Sequence, residues 1–302
     1  MVADAIILCA GYGTRLAPLT HFIPKPLFPV VCKPALGIVM ERLAVAGIKN
    51  FFCNAHHLWR QIVEAVPEVA PAGVEAKVFV EKDEILGTAG GIGHIFAQIG
   101  SPQRTFLVHN GDVLENFDLE AAYRFHIAGG FAATLILVDF PRINTVIVQG
   151  DRVAGFSESV PGEGLTYSGV GFFGPEILET FPHDRPGKFA EYLLPFVRAE
   201  KVGAWRERSF WHDFGTLPGY LELHRRILIE GEFDIPGAGE GVFFAKGTPP
   251  DGVDFYGFCA VCEDVSIPPG TQIANSVVWR GSKVSPGHYI NSIITPFGVV
   301  EV

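Results

Sequence analysis

At 302 residues, 48% of them hydrophobic and 19% charged, the chain can bury a large domain plus a small appendage, and disorder is excluded. A formal net charge of −10 excludes a nucleic-acid-binding surface, so any phosphate site must be a local island of positive charge. No signal-like segment precedes the first apolar run and no run approaches the roughly 18 residues of a membrane span, so a cytoplasmic protein without a membrane partner is expected.

The first half alternates apolar runs with helical patterns. "AIILCA" reads as a buried strand, and "PALGIVMERLAVAG" as a helix with Pro34 in its first turn and Gly47 as its stop. "NFFCNAH" is a second strand, "LWRQIVEAV" a second helix, "VEAKVFVE" a third strand and "GTAGGIGHIFAQIG" a third helix. "RTFLVHNGD" is a fourth strand ending in a polar turn. Such alternation predicts a mostly parallel sheet with helices on both faces, and ligands beyond the carboxyl ends of its strands. That places Gly11–Arg15 and Asn110–Asp112 on one rim.

From about Phe131 strands dominate: "FAATLILVDF", "NTVIVQG", "RVAGFSE" and "LTYSGVGFF". Helical stretches follow near Pro175–Thr180 and Phe189–Ala199, then the strand "VGAWRE", the turn "WHDFGT" and a helix over Pro218–Ile229. A Gly/Pro-rich passage reads as a linker over 233–252. In the tail, 253–302, Gly270 and Gly287 lie 17 apart, as do Gly281 and Gly298, and Asn275-Ser276 recurs as Asn291-Ser292. Aliphatics step by six, as from Val278 to Val284 to Ile290, which suggests a short β-helix; a pair of hairpins is the alternative. The five cysteines read as buried free thiols, since the Cys259–Cys262 C-x-x-C has no second pair to complete a zinc site.

The stretch "LCAGYGTRLAPLTHFIPKPLFPV" is not a dinucleotide loop. Gly11 and Gly13 fit the fingerprint, but Leu16 stands where its third glycine belongs, and four prolines prevent a helix from starting at the pyrophosphate. No Walker lysine follows either. What remains is a proline-stiffened extended loop whose glycines admit phosphates and whose Arg15 and Lys25 can counter their charge.

This stretch closely resembles the signature of sugar-1-phosphate nucleotidyltransferases. "EILGTAGGI", "HNGDVL", "FSES", "YSGVGFF" and "FWHDFGT" follow in family order, over roughly residues 4–230. The resemblance implies a Rossmann-like, mainly parallel α/β sheet of the nucleotidyltransferase type in residues 1–232, and a tail like the left-handed β-helices of several members. It implies attack by a sugar 1-phosphate on the α-phosphorus of a nucleoside triphosphate, with Mg²⁺ as cofactor and pyrophosphate as leaving group. The acceptor phosphate is already ionised at pH 7, so the site needs cations more than a base. The alternative is a catalytically silent regulatory relative, which would be expected to lose a cation or an aspartate; all four remain.

By the same resemblance Arg15 engages the leaving pyrophosphate and Lys25 the α-phosphate, while Asp112 and Asp213 bind Mg²⁺. Leu8, Ala10, Gly11 and Gly13 meet base and ribose, Gly87 and Thr88 close over the base, and Glu84 stands near the position that reads its edge. Glu158, Ser168 and Gly169 line the sugar side. Many relatives carry E-K-P where this chain has "SES", so Ser159 replaces a sugar-phosphate lysine; Lys188 or Arg185 is the candidate substitute. His56-His57 reads as a loop or helix-start feature, and the tail as an oligomerisation or packing element joining copies of the chain.

Overall fold

A strand buried along its whole length must be covered on both faces, and Ala133–Val138 (ATLILV) is such a strand, its one polar side chain, Thr134, hydrogen-bonded to His126. The computed structural model describes residues 2–157, 164–239, 241–247 and 249–302. Two compact units form: Met1–Tyr12, Pro24–Pro26 and Leu36–Trp211 in one, Gly13–Ile23, Leu27–Ala35 and His212–Val302 in the other.

In the first unit the strands of the main sheet are β1 (Asp4–Leu8), β2 (Asn50–Ala55), β3 (Glu75–Val80), β4 (Phe106–Asn110), β5 (Ala133–Val138), β6 (Val146–Gln149), β7 (Arg152–Phe156), β8 (Thr166–Phe173) and β9 (Val202–Arg206). They make one sheet in the order β3-β2-β1-β4-β8-β5-β9-β7-β6. The pairs β3–β2, β2–β1, β1–β4 and β5–β9 are parallel, whereas β8 runs antiparallel to β4 and β5. The mainly parallel sheet expected from the sequence is therefore present. Because β1 sits between β2 and the later β4, the strand order reverses at its carboxyl end, where such sheets bind ligands. Ile6, Val108, Leu135 and Phe173 lie in the core that holds this sheet.

The helices are α1 (Ala35–Val45), α2 (Trp59–Val69), α3 (Gly87–Ile99), α4 (Leu119–Gly129), α5 (Pro175–Leu178), α6 (Phe189–Arg198) and α7 (Leu217–Leu228). The sequence reading assigns no helix where α4 lies, although its signals are present. Asp118 caps it by accepting from Ala121 N–H (2.9 Å), and Gly130 ends it at φ 58°. The loop after β1 also differs from expectation. Instead of running extended, it coils into 3₁₀ turns at Thr14–Leu16, Leu19–His21 and Lys25–Leu27, a tighter coil compatible with the φ that proline imposes.

In the second unit, β10 (Val242–Phe244), β11 (Asp254–Val261), β12 (Gln272–Val278), β13 (His288–Ile290) and β14 (Ser292–Thr295) stack in parallel, and β15 (Gly298–Glu301) returns antiparallel to β14. β10 falls within the segment read as linker. Cys259 pairs with Ser276 and Val277 with Ile293, offsets that match the spacing seen in the sequence. Gly257, Asn275 and Asn291 form one column of left-handed corners at φ 63°, 49° and 48°. The recurrent Asn-Ser is thus a corner followed by a stacked serine, and Ser276 Oγ accepts from Ser292 N–H (2.9 Å).

A hairpin of Pro29–Val30 with Lys33–Pro34 folds onto the same unit. Phe28 packs edge-on against Tyr220 and Trp279, and Val31 N–H donates to His224 Nε2 (3.1 Å). Contrary to the expectation of five free thiols, Cys32 is joined to Cys262 in a disulfide, with Cα atoms 5.1 Å apart across 230 residues of sequence. Only the folded hairpin brings these two together, so their partnership has no local sequence signal. Cys9, Cys53 and Cys259 remain free and buried.

Burial holds both His126 and His224 at a pKa of about 4, against 6.5 when exposed. His224 donates through Nδ1 to Tyr220 O (2.9 Å), so a second proton would have to sit on Nε2, facing the Val31 N–H. A depressed histidine pKa contributes stability above pH 6.5 that is lost as pH falls towards 4, about 3 kcal/mol for each residue. The melting temperature should therefore drop steeply between pH 6.5 and 4; a flat profile in thermal unfolding would contradict the neutral assignment.

Candidate active site

The residues after β1 leave the sheet at its switch point. Leu8 pairs with Asn54 of β2 and Asn110 of β4, and its carbonyl accepts from Gly111 N–H (2.9 Å). Ala10 is buried and Gly11 is exposed, and a Cβ added at Gly11 would meet no protein atom within 4 Å. Gly87 and Thr88 open α3, with Glu84 exposed in the turn before them. Gly90 lets the loop at Arg185–Gly187 close against α3, since a Cβ there would lie 2.6 Å from the Arg185 carbonyl.

Asp112 and Lys25 come together in this unit. Lys25 Nζ lies 2.5 Å from Asp112 Oδ2, with the lysine side chain 8% exposed and the aspartate 29%. The Asn110–Asp112 turn is fixed from behind. A Cβ on Gly111 would press on Cys9 Sγ at 2.9 Å, and His109 Nδ1 donates to Asn110 O (2.7 Å). Glu115, buried just after the turn, lies 3.6 Å from Arg42 and accepts from Phe117 N–H. Burial alone would raise its carboxyl, but pairing with His109 and the charge of Arg42 outweigh that and hold it below the usual range.

The second unit carries the other two predicted charges. Gly13, at φ 62°, caps the 3₁₀ turn that presents the exposed Arg15. Asp213 is half-buried at the end of a short strand, Trp211–Asp213, where the sequence reads as a turn; it lies two residues before Gly215 and ahead of α7, whose first turn is capped by Thr216 Oγ1 accepting from Gly219 N–H (3.1 Å). Arg15 and Asp213 both flank Gly215: a Cβ there would lie 2.6 Å from Arg15 Nη2 and 3.2 Å from Asp213 Oδ1.

On the sugar side, the Ser168 hydroxyl is buried and committed to backbone. It donates to Ile136 O (2.8 Å) and accepts from Val170 N–H (3.2 Å), at a bulge where β8 slips its register against β5. Gly169 is left-handed at φ 83°, and a Cβ there would lie 2.5 Å from Asn110 Nδ2. Lys188 is 87% exposed and 3.8 Å from Glu191 in the first turn of α6. Glu158 and Ser159 lie outside the described residues. Sequence reasoning missed Glu81 and Asn54, both buried and hydrogen-bonded between these loops. The available signal was a carboxylate directly after the VFV run that ends β3.

A family model described as nucleotidyl transferase matches residues 4–230. The chain belongs to the nucleotidyl transferase family. It is 36% identical over 220 residues to the N-acetylmuramate alpha-1-phosphate uridylyltransferase of Neisseria meningitidis serogroup B, covering 70% of this chain and 93% of that protein. It is 28% identical over 297 residues to the mannose-1-phosphate guanylyltransferase of Mycobacterium tuberculosis, covering 94% of this chain and 82% of the relative. The crystal structure of HddC from Yersinia pseudotuberculosis superposes with a TM-score of 0.63 at 25% identity, over 74% of this chain and 98% of that one.

Gly215→Ala pushes on the far end of a flexible arginine rather than on backbone, so the fold should tolerate it while Arg15 shifts. Turnover should fall at unchanged melting temperature. Wild-type turnover would separate Arg15 from the chemistry.

Proposed function

We propose that this chain transfers a nucleotidyl group from a nucleoside triphosphate to a sugar 1-phosphate and releases pyrophosphate, with Mg²⁺ as cofactor. The observation that carries the reading is the Lys25–Asp112 pair at the carboxyl edge of the sheet, in a chain of this family. Two anions must meet in line, and the barrier is chiefly their mutual repulsion. Lys25 lowers it by presenting a positive charge largely removed from water, where its field is least screened. Arg15, with a planar fork suited to phosphate oxygens, stabilises the leaving pyrophosphate.

Asp112 and Asp213 are the carboxylates read as metal ligands. A carboxylate oxygen suits a hard cation that keeps most of its shell from water and phosphate. Asp112 offers carboxylate oxygen and is partly open, and no cluster of three or more acidic, histidine or cysteine side chains gathers among the described residues. The ion would supply charge neutralisation on the phosphates. Leu8, Ala10, Gly11 and Gly13 receive the nucleoside through backbone, with Gly87 and Thr88 over the base and Glu84 beside it. Gly169, Lys188 and Glu158 serve the sugar side, where Ser168 acts by holding the bulge.

We read the tail as a short left-handed β-helix that follows a catalytic domain at 1–232 and includes β10, a strand inside the 233–252 segment read as linker, as well as 253–302. Parallel pairing at offsets of 16 and 17 residues supports a β-helix, and its left hand is what the family resemblance implies. The tail would join copies of the chain or pack against its own domain.

Pyrophosphate release across a grid of nucleoside triphosphates and sugar 1-phosphates, with Mg²⁺, tests the reaction. One pair should turn over, and neither substrate should do so alone. Asp112→Asn should abolish that turnover with the fold intact; undiminished Mg²⁺-dependent release would remove Asp112 from the metal site. Gly11→Ala meets no protein atom and an unstrained backbone, so stability should hold while the KM for the triphosphate rises. An unchanged KM would place the nucleotide away from Gly11.

A further inference from the structure

Glu81 has none of the roles above, yet its side chain is engaged at both oxygens while the residue is only 2% exposed. Oε1 accepts from Asn54 Nδ2 (2.6 Å) and Oε2 from Leu86 N–H (2.8 Å). Asn54, equally buried, turns Oδ1 to accept from Cys9 N–H (2.8 Å). One hydrogen-bonded chain thus runs from the first residue after β1, through the end of β2, to the residue before α3. A second chain runs beside it. The Glu81 carbonyl accepts from His56 Nδ1 (2.7 Å), which leaves Nε2 to accept from the Tyr12 hydroxyl (3.0 Å).

Both chains start in Cys9–Tyr12 and end on residues 81–86. Gly91 of α3 leaves the space they occupy, since a Cβ there would lie 2.5 Å from Asn54 Nδ2 and 2.7 Å from Glu81 Oε1. A carboxylate taken out of water is tolerated only when its oxygens are satisfied, and bonds to an ionised acceptor are the strong ones. Loops tied this way have less freedom to lose when a ligand arrives.

We propose that Glu81 is a positioning residue: through Leu86 N–H on one side and Asn54 on the other, it fixes the two nucleotide-receiving loops as one preformed frame without touching substrate. The inference rests on the reading of these loops as the nucleotide site.

Substitutions can break and rebuild the frame. Glu81→Gln offers one oxygen, so Leu86 N–H or Asn54 Nδ2 must face another N–H. Asn54→Asp sets two carboxylates against each other. The double variant, Asn54→Asp with Glu81→Gln, restores every bond with the middle one reversed. The new carboxylate accepts from Cys9 N–H and from the new amide, whose oxygen still accepts from Leu86 N–H.

Steady-state kinetics and thermal melting are compared for the full chain and the three variants. Each single substitution should raise the KM for the triphosphate about tenfold or more, with the KM for the sugar 1-phosphate unchanged. The double variant should return to near the wild-type value. A wild-type KM in Glu81→Gln overturns the proposal. So does a raised KM in a folded double variant, the result expected if the carboxylate touched the nucleotide directly. Should the single variants not fold, the double variant decides alone, and its failure to fold also overturns the proposal. Absence of turnover by the wild-type chain with every substrate pair would instead refute the functional reading; calorimetric triphosphate binding by the same proteins then tests the frame.

Discussion

An ammonium that is almost wholly out of water needs a counter-charge, and Lys25 has Asp112 at 2.5 Å. Much of the first unit serves that one ion pair. Asp112 is where it is because β4 ends beside β1, because Leu8 O accepts from Gly111 N–H, and because His109 and Glu115 brace the turn from within the core. Gly111 is required here, as any side chain would collide with Cys9 and the Leu8 carbonyl. The pair leaves the aspartate partly open, at 29% exposure against 8% for the lysine.

The same logic of close approach explains the glycines of α3. Gly90 and Gly91 give up helix propensity, but they let the Arg185 carbonyl and the Asn54–Glu81 pair come within distances that a methyl group would forbid. A helix of ordinary composition would stand off from β2 and leave Glu81 without Asn54. The glycine content of "GTAGGIG" is therefore a packing constraint.

The strands and most helices were legible because their signals are local: ATLILV can only be a covered strand, and Pro34 with Gly47 brackets α1 closely. The roles expected of Lys25 and Asp112 were legible through motif order, and the structure brings that pair into contact. Their neighbours were not. Glu81 reads as the polar end of a strand until β2 and α3 bring Asn54 and Leu86 to it. Cys32 and Cys262 share no motif, and the bond between them depends on a hairpin turn whose φ of 44° and 68° at Val31 and Cys32 no propensity favours. Long-range partnership leaves no periodic trace. The tail is the instructive exception, since its partners are its own repeats and the spacing of Asn275 and Asn291 records the contact directly.

Histidine is the usual place to look for a general base, and ten are available. The structure gives the well-placed ones other work. His56 ties Tyr12 to the Glu81 carbonyl, His109 braces the Asn110–Asp112 turn, and His126 and His224 are buried and neutral. This follows from the chemistry. A sugar 1-phosphate arrives with its nucleophilic oxygen already ionised, so a base has no proton to remove. What slows the reaction is charge meeting charge, and the remedy is fixed cations and backbone N–H groups held in place before substrate binds. A chain that devotes histidines to holding loops and turns is consistent with that chemistry, in which the proposed work on the phosphates falls to an ammonium and a guanidinium.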